Sequence, residues 1–251
     1  MEVCRGEEAL PHGLYPYVET FYRRLSPEVS CAYRECLKSA FMWHVETFNI
    51  WSIIGWCMYL GWAVWRSPRL VGLWFLALAG WLHMPFAVGN HLFIPVSEAV
   101  SMLWRKLDLY GIFIGSVVIS VGVCWHAFPL LAWLPLVMAV GVVAYVNCQR
   151  VYKSVELVYP NVESVVWVGV IMALYTLPVV FYAFVDRRVR WLLLGVVLVC
   201  VMSGLVMVYE WPQKYIPGMV FGISHHWMHV GVFGMQLLYV CIVNVLGGKV
   251  N

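Results

Sequence analysis

The chain has 251 residues, of which 63% are hydrophobic and 12% are charged, and its formal net charge at pH 7 is +3. Soluble domains carry about 25% charged residues, so this composition excludes an ordinary soluble protein and indicates a polytopic membrane protein. The basic residues lie next to apolar runs, as membrane topology signals do, and a nucleic-acid-binding surface is therefore not expected.

The first 38 residues are mixed and polar, and the first fifteen contain no apolar core, so a cleavable signal peptide is not expected. Charged side chains alternate there with tyrosine and phenylalanine. We expect a cytosolic N-terminal segment, in which part of the chain forms a helix on the membrane surface or the whole remains a solvated tail. Residues 39–251 are predicted to form the transmembrane domain.

Seven apolar runs follow, each at least about 17 residues long, as a hydrocarbon core of about 30 Å requires. Backbone polar groups in lipid must be satisfied within their own segment, so each run is predicted to be a helix. The predicted fold is an all-α membrane protein with seven transmembrane helices. The runs cover residues 48–65, 70–93, 108–125, 130–148, 165–185, 191–209 and 219–246.

The basic residues predict the orientation of this bundle. Of the 16 Lys and Arg residues, ten lie on the side that carries the N-terminus and the other six on the opposite side. The positive-inside rule therefore places the N-terminus in the cytosol and the C-terminus outside, although Arg187 and Arg188 oppose this orientation. The protein is expected in the plasma membrane or in an internal membrane.

Three histidines and one aspartate are predicted to meet at one depth of the inner leaflet. His225 and His229 begin the last run and are four residues apart, so on a helix they project from one face. His91 ends the second run and Asp108 begins the third, on the same side of the membrane. Taken singly, Asp108 could favour a helix N-terminus and His91 could hydrogen-bond across helices.

Three histidines with a carboxylate or a water suit tetrahedral zinc, and three protein ligands plus water is the catalytic pattern. Zinc makes hydroxide available at neutral pH, so the site could hydrolyse an ester or amide bond of a lipid. Asp108 would position the water or transfer its proton. His226 lies about 100° around the helix and is not expected to join. His83 and His126 are interpreted as structural.

A polar cluster opens the first apolar run, on the same side as the histidines. Two roles are open to it: hydrogen bonds that hold helices together, or hydrogen bonds that orient the metal ligands. The cluster consists of Glu46, Thr47, Asn49 and Ser52.

Several stretches of the sequence resemble the progestin and adipoQ receptor family, which includes the adiponectin receptors and the bacterial haemolysin III-like proteins. Their order along the chain also matches that of the family. The stretches are C-L-K-S-A-F (36–41), E-T-F-N-I-W (46–51), His91, L-D-L-Y-G-I (107–112), Pro212 with Pro217-Gly218, and S-H-H-W-M-H (224–229).

The resemblance implies a seven-helix fold with a cytosolic N-terminus. It implies zinc held by His91, His225 and His229, with Asp108 as the acidic partner acting through water. Related alkaline ceramidases cleave lipid amides, so it also implies a lipid or lipid-derived ligand, and a receptor role would add a signalling protein partner.

This sequence departs from the family pattern at a few positions. Ala87 stands where the family usually has a serine, one helical turn before His91, that is thought to assist the chemistry. Val45 and Val96 replace a usual asparagine and histidine, and His226 replaces the common glutamine. The leading hypothesis is a zinc protein that senses or hydrolyses a ceramide-like lipid amide. The alternative, which Ala87 favours, is a non-catalytic receptor or scaffold with structural zinc.

Overall fold

The computed structural model describes residues 2–5, 20–24, 29–127, 129–154, 162–216, 219 and 221–248. This part of the chain contains two strands and eight helices. The elements are β1 (Glu2–Arg5), β2 (Thr20–Arg24), α1 (Val29–Ser39), α2 (Thr47–Arg66), α3 (Val71–Phe93), α4 (Glu98–Trp125), α5 (Leu130–Lys153), α6 (Val162–Val185), α7 (Arg187–Val208) and α8 (Ser224–Gly247).

The N-terminal segment precedes the bundle. Strand β1 pairs antiparallel with β2, and α1 packs against α3. The predicted surface helix corresponds to α1 only, and the rest of that prediction falls largely on residues 6–19 and 25–28, which lie outside the described residues. The position of α1 relative to the membrane surface stays a prediction.

Helices α3 to α8 are each long and apolar enough to cross a membrane. Helix α2 is shorter, with 20 residues, which span about 30 Å. Four tryptophans and the polar residues of its first turns make it less apolar than the others. The prediction of membrane-spanning helices is therefore confirmed by length and composition for six of the seven runs, and the seventh span stays a prediction.

Large apolar side chains cover the outside of the bundle. On α7, Leu194, Leu198 and Val201 are exposed, whereas Val196 faces inward and is buried. Apolar surface of this extent is not stable in water, and it suits a bundle surrounded by lipid. The fold is thus that of an integral, multi-pass membrane protein.

The predicted start of the third span, Asp108, is wrong. Helix α4 begins ten residues earlier at Glu98, because the Ser97 hydroxyl caps it by accepting a hydrogen bond from the Val100 amide at 3.2 Å. Asp108 therefore lies about three turns inside the helix. Its role is not that of a first-turn carboxylate at a helix N-terminus.

Two further helices extend into predicted loops. Helix α5 continues to Lys153, because the Lys106 ammonium donates to the carbonyls of Tyr152 and Ser154 at 3.2 and 2.7 Å and so satisfies its last turn. Helix α7 begins at Arg187, where the predicted span begins at residue 191. The Asp186 carboxylate caps it by accepting from the Arg188 amide at 2.7 Å.

Packing brings α2, α3, α4 and α8 together. Helix α8 contacts α2, α3, α4 and α7, and α3 lies along most of α4. The close approach of α3 and α4 depends on glycine, since a Cβ atom on Gly122 would lie 2.8 Å from the carbonyl oxygen of Gly72. This contact holds the start of α3 against the last turns of α4.

Replacing Gly122 by alanine is expected to destabilise the bundle by about 1–3 kcal/mol, since the added methyl group forces the backbones of α3 and α4 apart. The unfolding midpoint of the detergent-solubilised protein measures this. The matched control is Gly141→Ala on α5, where a Cβ atom meets nothing within 4 Å. Equal midpoints for the two variants would contradict the close α3–α4 contact.

Candidate metal centre

Three histidine side chains from α3 and α8 meet at one end of the bundle. Nε2 of His225 lies 3.5 Å from Nε2 of His91 and 3.3 Å from Nε2 of His229. The ligand atoms of all three lie within 4.8 Å of one another. Two nitrogens bound to one tetrahedral zinc are about 3.3 Å apart, so both short separations match a single ion. The group could hold a metal.

The ring of His91 is oriented by Glu46, which lies immediately before α2. His91 Nδ1 donates to Glu46 Oε2 at 2.8 Å, and the two side chains are only 3% and 4% exposed. A neutral imidazole that donates through Nδ1 carries its lone pair on Nε2. Metal-bound histidines almost always donate their second ring N–H to a carboxylate, a backbone carbonyl or water, and such a partner raises their basicity.

The ring of His229 is oriented by Ser52 on α2. The Ser52 hydroxyl donates its proton to the Asn49 carbonyl at 3.0 Å, so it accepts from His229 Nδ1, which is 3.2 Å away. His229 therefore also turns the lone pair of Nε2 toward the group. The Nε2 of His225 can donate to only one of its two neighbours, whereas a cation would satisfy all three nitrogens at once.

The charge around the group also favours a cation. Glu46 is buried, and its Oε2 accepts a second hydrogen bond, from the side-chain Nδ2 of Asn49, at 2.8 Å. A buried carboxylate is costly unless it is paired and hydrogen-bonded. Two members of the polar cluster, Glu46 and Ser52, form hydrogen bonds to the histidines, as the second interpretation of the cluster predicts. Asn49 acts through Glu46.

Helix α8 is fixed at its first residue by Gln213 from the α7–α8 connection. The Ser224 amide donates to Gln213 Oε1 at 2.6 Å, and Gln213 Nε2 donates to the Ser224 hydroxyl at 2.7 Å. Both side chains are buried. Since first-turn amides have no partner within the helix, this reciprocal pair determines where α8 begins and hence where His225 lies. The predicted span begins at residue 219, whereas helix α8 begins at Ser224.

As predicted, His226 does not face the metal group. Its Nδ1 accepts from the Gly222 amide at 3.0 Å, and its Nε2 donates to the Val45 carbonyl at 2.9 Å. Gly222 has φ +83°, a left-handed conformation that favours glycine. Both ring nitrogens are thus used to hold the connections before α2 and α8. Pro217 and Gly218, part of the resembling motif, lie outside the described residues.

Asp108 is not a member of the histidine group. Its Oδ1 accepts from His83 Nε2 at 2.6 Å, and its Oδ2 accepts from the side-chain Nδ2 of Asn90 at 2.9 Å. Asn90 directly precedes His91. The assignment of Asp108 as an acidic partner acting through water stays a prediction.

Sequence reasoning missed two residues of this region. Gln213 carries no signal beyond its place beside Pro212. His83 was interpreted as structural, although it is seven residues from Asn90 and therefore on the same face of α3. His126 fits its structural interpretation, because its Nε2 accepts from the Gly72 amide at 3.2 Å, at the start of α3, the end of that helix opposite to His91.

No protein-family model matches the chain, and a search of curated proteins finds no significant match to it.

Replacing Glu46 by glutamine is expected to weaken metal binding about 10- to 100-fold, the usual effect of losing the carboxylate behind a histidine ligand. Glutamine keeps an acceptor oxygen for His91 but removes the charge. Competition of the purified protein with a zinc chelator measures the affinity. Glu98→Gln is the control, because Glu98 is an exposed carboxylate in the first turn of α4. Unchanged affinity in Glu46→Gln would contradict the role of Glu46.

Proposed function

We propose that this chain is a seven-transmembrane zinc protein, related to the progestin and adipoQ receptors, that acts on a lipid amide at its histidine group. The convergence of three histidine nitrogens carries the proposal. Two of these rings are held through Nδ1 by Glu46 and Ser52, so that their lone pairs face a common centre. Imidazole is expensive in hydrocarbon, and histidines gathered inside a membrane bundle mark functional sites.

The proposal includes α2 as the seventh span and a cytosolic N-terminus. Helix α2 packs against α3 and α8, and its residue Ser52 contacts His229. Its 20 residues reach across a hydrocarbon core. The excess of basic residues on the N-terminal side supports the orientation.

The positions of the resembling motifs in the fold support the family relationship. Residues from the E-T-F-N-I-W stretch, the end of α3 and the S-H-H-W-M-H stretch surround one centre, although they are far apart in sequence. The motifs are short, and their meeting at one point is what gives them weight.

Zinc bound by His91, His225 and His229 would supply a water activated at neutral pH and a Lewis acid for a carbonyl oxygen. The protein contributes the remaining requirements. Glu46 holds His91 in one orientation and offsets the positive charge of the centre. Asp108 would orient the water or accept its proton. Its carboxylate accepts a hydrogen bond from the side chain of Asn90, the residue before His91. A ceramide-like amide is the substrate class that the resemblance to alkaline ceramidases suggests.

A second function, lipid sensing without turnover, is favoured by Ala87. Ala87 is buried, with 3% exposure, and lies one turn before His91 on α3. Where the family usually has a hydroxyl, this chain has a methyl group. In that case zinc would hold α3 and α8 together, and a lipid would act as ligand of a receptor.

Purified wild type is expected to contain one zinc ion per chain, and the double variant His225→Ala/His229→Ala none, because one histidine cannot hold the ion. Metal content and hydrolysis of ceramides in detergent are measured together. His226→Gln is the control, since the two ring nitrogens of His226 form hydrogen bonds with the backbone of Gly222 and Val45 and not with the other histidines. Equal zinc in wild type and the double variant would contradict the site. Zinc without turnover of several lipid amides would support the receptor function.

Replacing Ala87 by serine separates the two functions. If the site is hydrolytic, the added hydroxyl is expected to raise kcat for a ceramide at least severalfold without changing zinc content, since general acid–base assistance contributes about 100-fold or more where it is fully developed. Ala87→Gly, which adds no hydroxyl, is the control. Turnover that is absent in wild type and stays absent in Ala87→Ser favours the non-catalytic receptor.

A further inference from the structure

We propose that His83 is a positioning residue that holds the Asp108 carboxylate beside the metal centre. The inference rests on the proposed function, in which Asp108 orients the water or accepts its proton. His83 is outside the set of residues that the family resemblance assigns, and its contact with Asp108 is a property of the fold.

The Asp108 carboxylate is held by both oxygens from one helix. His83 Nε2 donates to Oδ1 at 2.6 Å, and the side-chain Nδ2 of Asn90 donates to Oδ2 at 2.9 Å. The side chains of His83 and Asp108 are 29% and 18% exposed. Two donors on opposite oxygens leave the carboxylate little freedom to rotate, and each oxygen keeps one lone pair for a water.

The face of α3 explains why the carboxylate fits between these donors. His83, Ala87 and Asn90 are spaced by four and three residues, so they form one stripe on the helix. The middle residue is small, which leaves room for a side chain that enters from α4. Ala87 has no side-chain donor, and the two side-chain donors to Asp108 are His83 and Asn90 on either side of it.

Helix α4 provides the space for the His83 ring. A Cβ atom on Gly111, one turn after Asp108, would lie 2.5 Å from Cδ2 of His83 and 3.4 Å from Cδ2 of Phe86. Only glycine lets the backbone of α4 come this close to the ring. The backbone of α4 at Gly111 therefore packs against one side of the ring.

A charged carboxylate inside a membrane bundle needs such partners. Ionised groups in a low-dielectric region are costly unless they are paired and hydrogen-bonded. Without His83, Asp108 keeps one side-chain donor among the described residues, Asn90, and one of its oxygens is free to rotate. His83 is not itself a ligand, since it lies about 12 Å along α3 from His91.

The test compares His83→Leu with His83→Gln, because the glutamine amide can still donate to Asp108. Both variants are expected to bind one metal ion, since the three histidine ligands remain. With Co²⁺ as the probe, His83→Leu should alter the visible d–d spectrum as Asp108→Asn does, whereas His83→Gln should resemble wild type. If wild type hydrolyses ceramide, kcat should fall about 100-fold in His83→Leu with little change in KM, and glutamine should restore most of it.

Gly111→Ala displaces the ring without removing it and should reproduce the Co²⁺ spectrum of His83→Leu. Its matched control is Gly115→Ala, one turn further along α4, where the nearest atom to a Cβ is 3.7 Å away. A spectrum of Gly111→Ala identical to wild type would overturn the inference.

A double-mutant cycle on thermal unfolding in detergent tests the contact without metal or activity. The effects of His83→Leu and Asp108→Asn should be less than additive, because both remove the same hydrogen bond. Additive effects, or a His83→Leu spectrum identical to wild type, overturn the inference and leave the proposed function standing. A wild type that binds no Co²⁺ or zinc overturns the proposed function and, with it, the role of His83, even if the cycle shows coupling.

Discussion

The hydrogen bond between His91 and Glu46 is the interaction on which the rest of the site depends. It joins the start of α2 to the end of α3 in a region where both side chains are nearly inaccessible to solvent. Breaking it would leave a buried carboxylate without its main partner. Because it also fixes the tautomer of His91, it decides which nitrogen meets α8.

The same logic holds for the other helices that build the site. Gln213 sets the first residue of α8 and therefore the height of His225. The glycine contacts between α3 and α4 set the place of Asp108. Helices α8 and α4 are therefore positioned by contacts that involve none of the three histidines, whereas the His91–Glu46 bond joins α2 to α3.

Much of this could be predicted from the sequence. The apolar runs determine the helices, because hydrocarbon leaves no other way to satisfy a long stretch of backbone. The four-residue spacing of His225 and His229 determines that they share a face. Alternation of spans then brings His91 to the same end, so the histidine group follows from local patterns and simple topology. The helix ends at residues 98 and 153 do not, because side chains from elsewhere or a short polar cap extend those helices beyond the apolar runs.

The sequence by itself thus determined the class of protein, most of its helices and the histidine group. Only the tertiary structure decided which polar side chains orient that group. Glu46 was one of four candidates in its cluster, and Gln213 had no distinguishing pattern. The spacing of His83 and Asn90 places them on one face of α3, but it did not reveal that both contact Asp108. Their roles depend on hydrogen bonds between residues far apart in the chain, such as His91 with Glu46 and Asp108 with His83. Such bonds require helix packing accurate to a fraction of an ångström, which no periodicity in the sequence encodes.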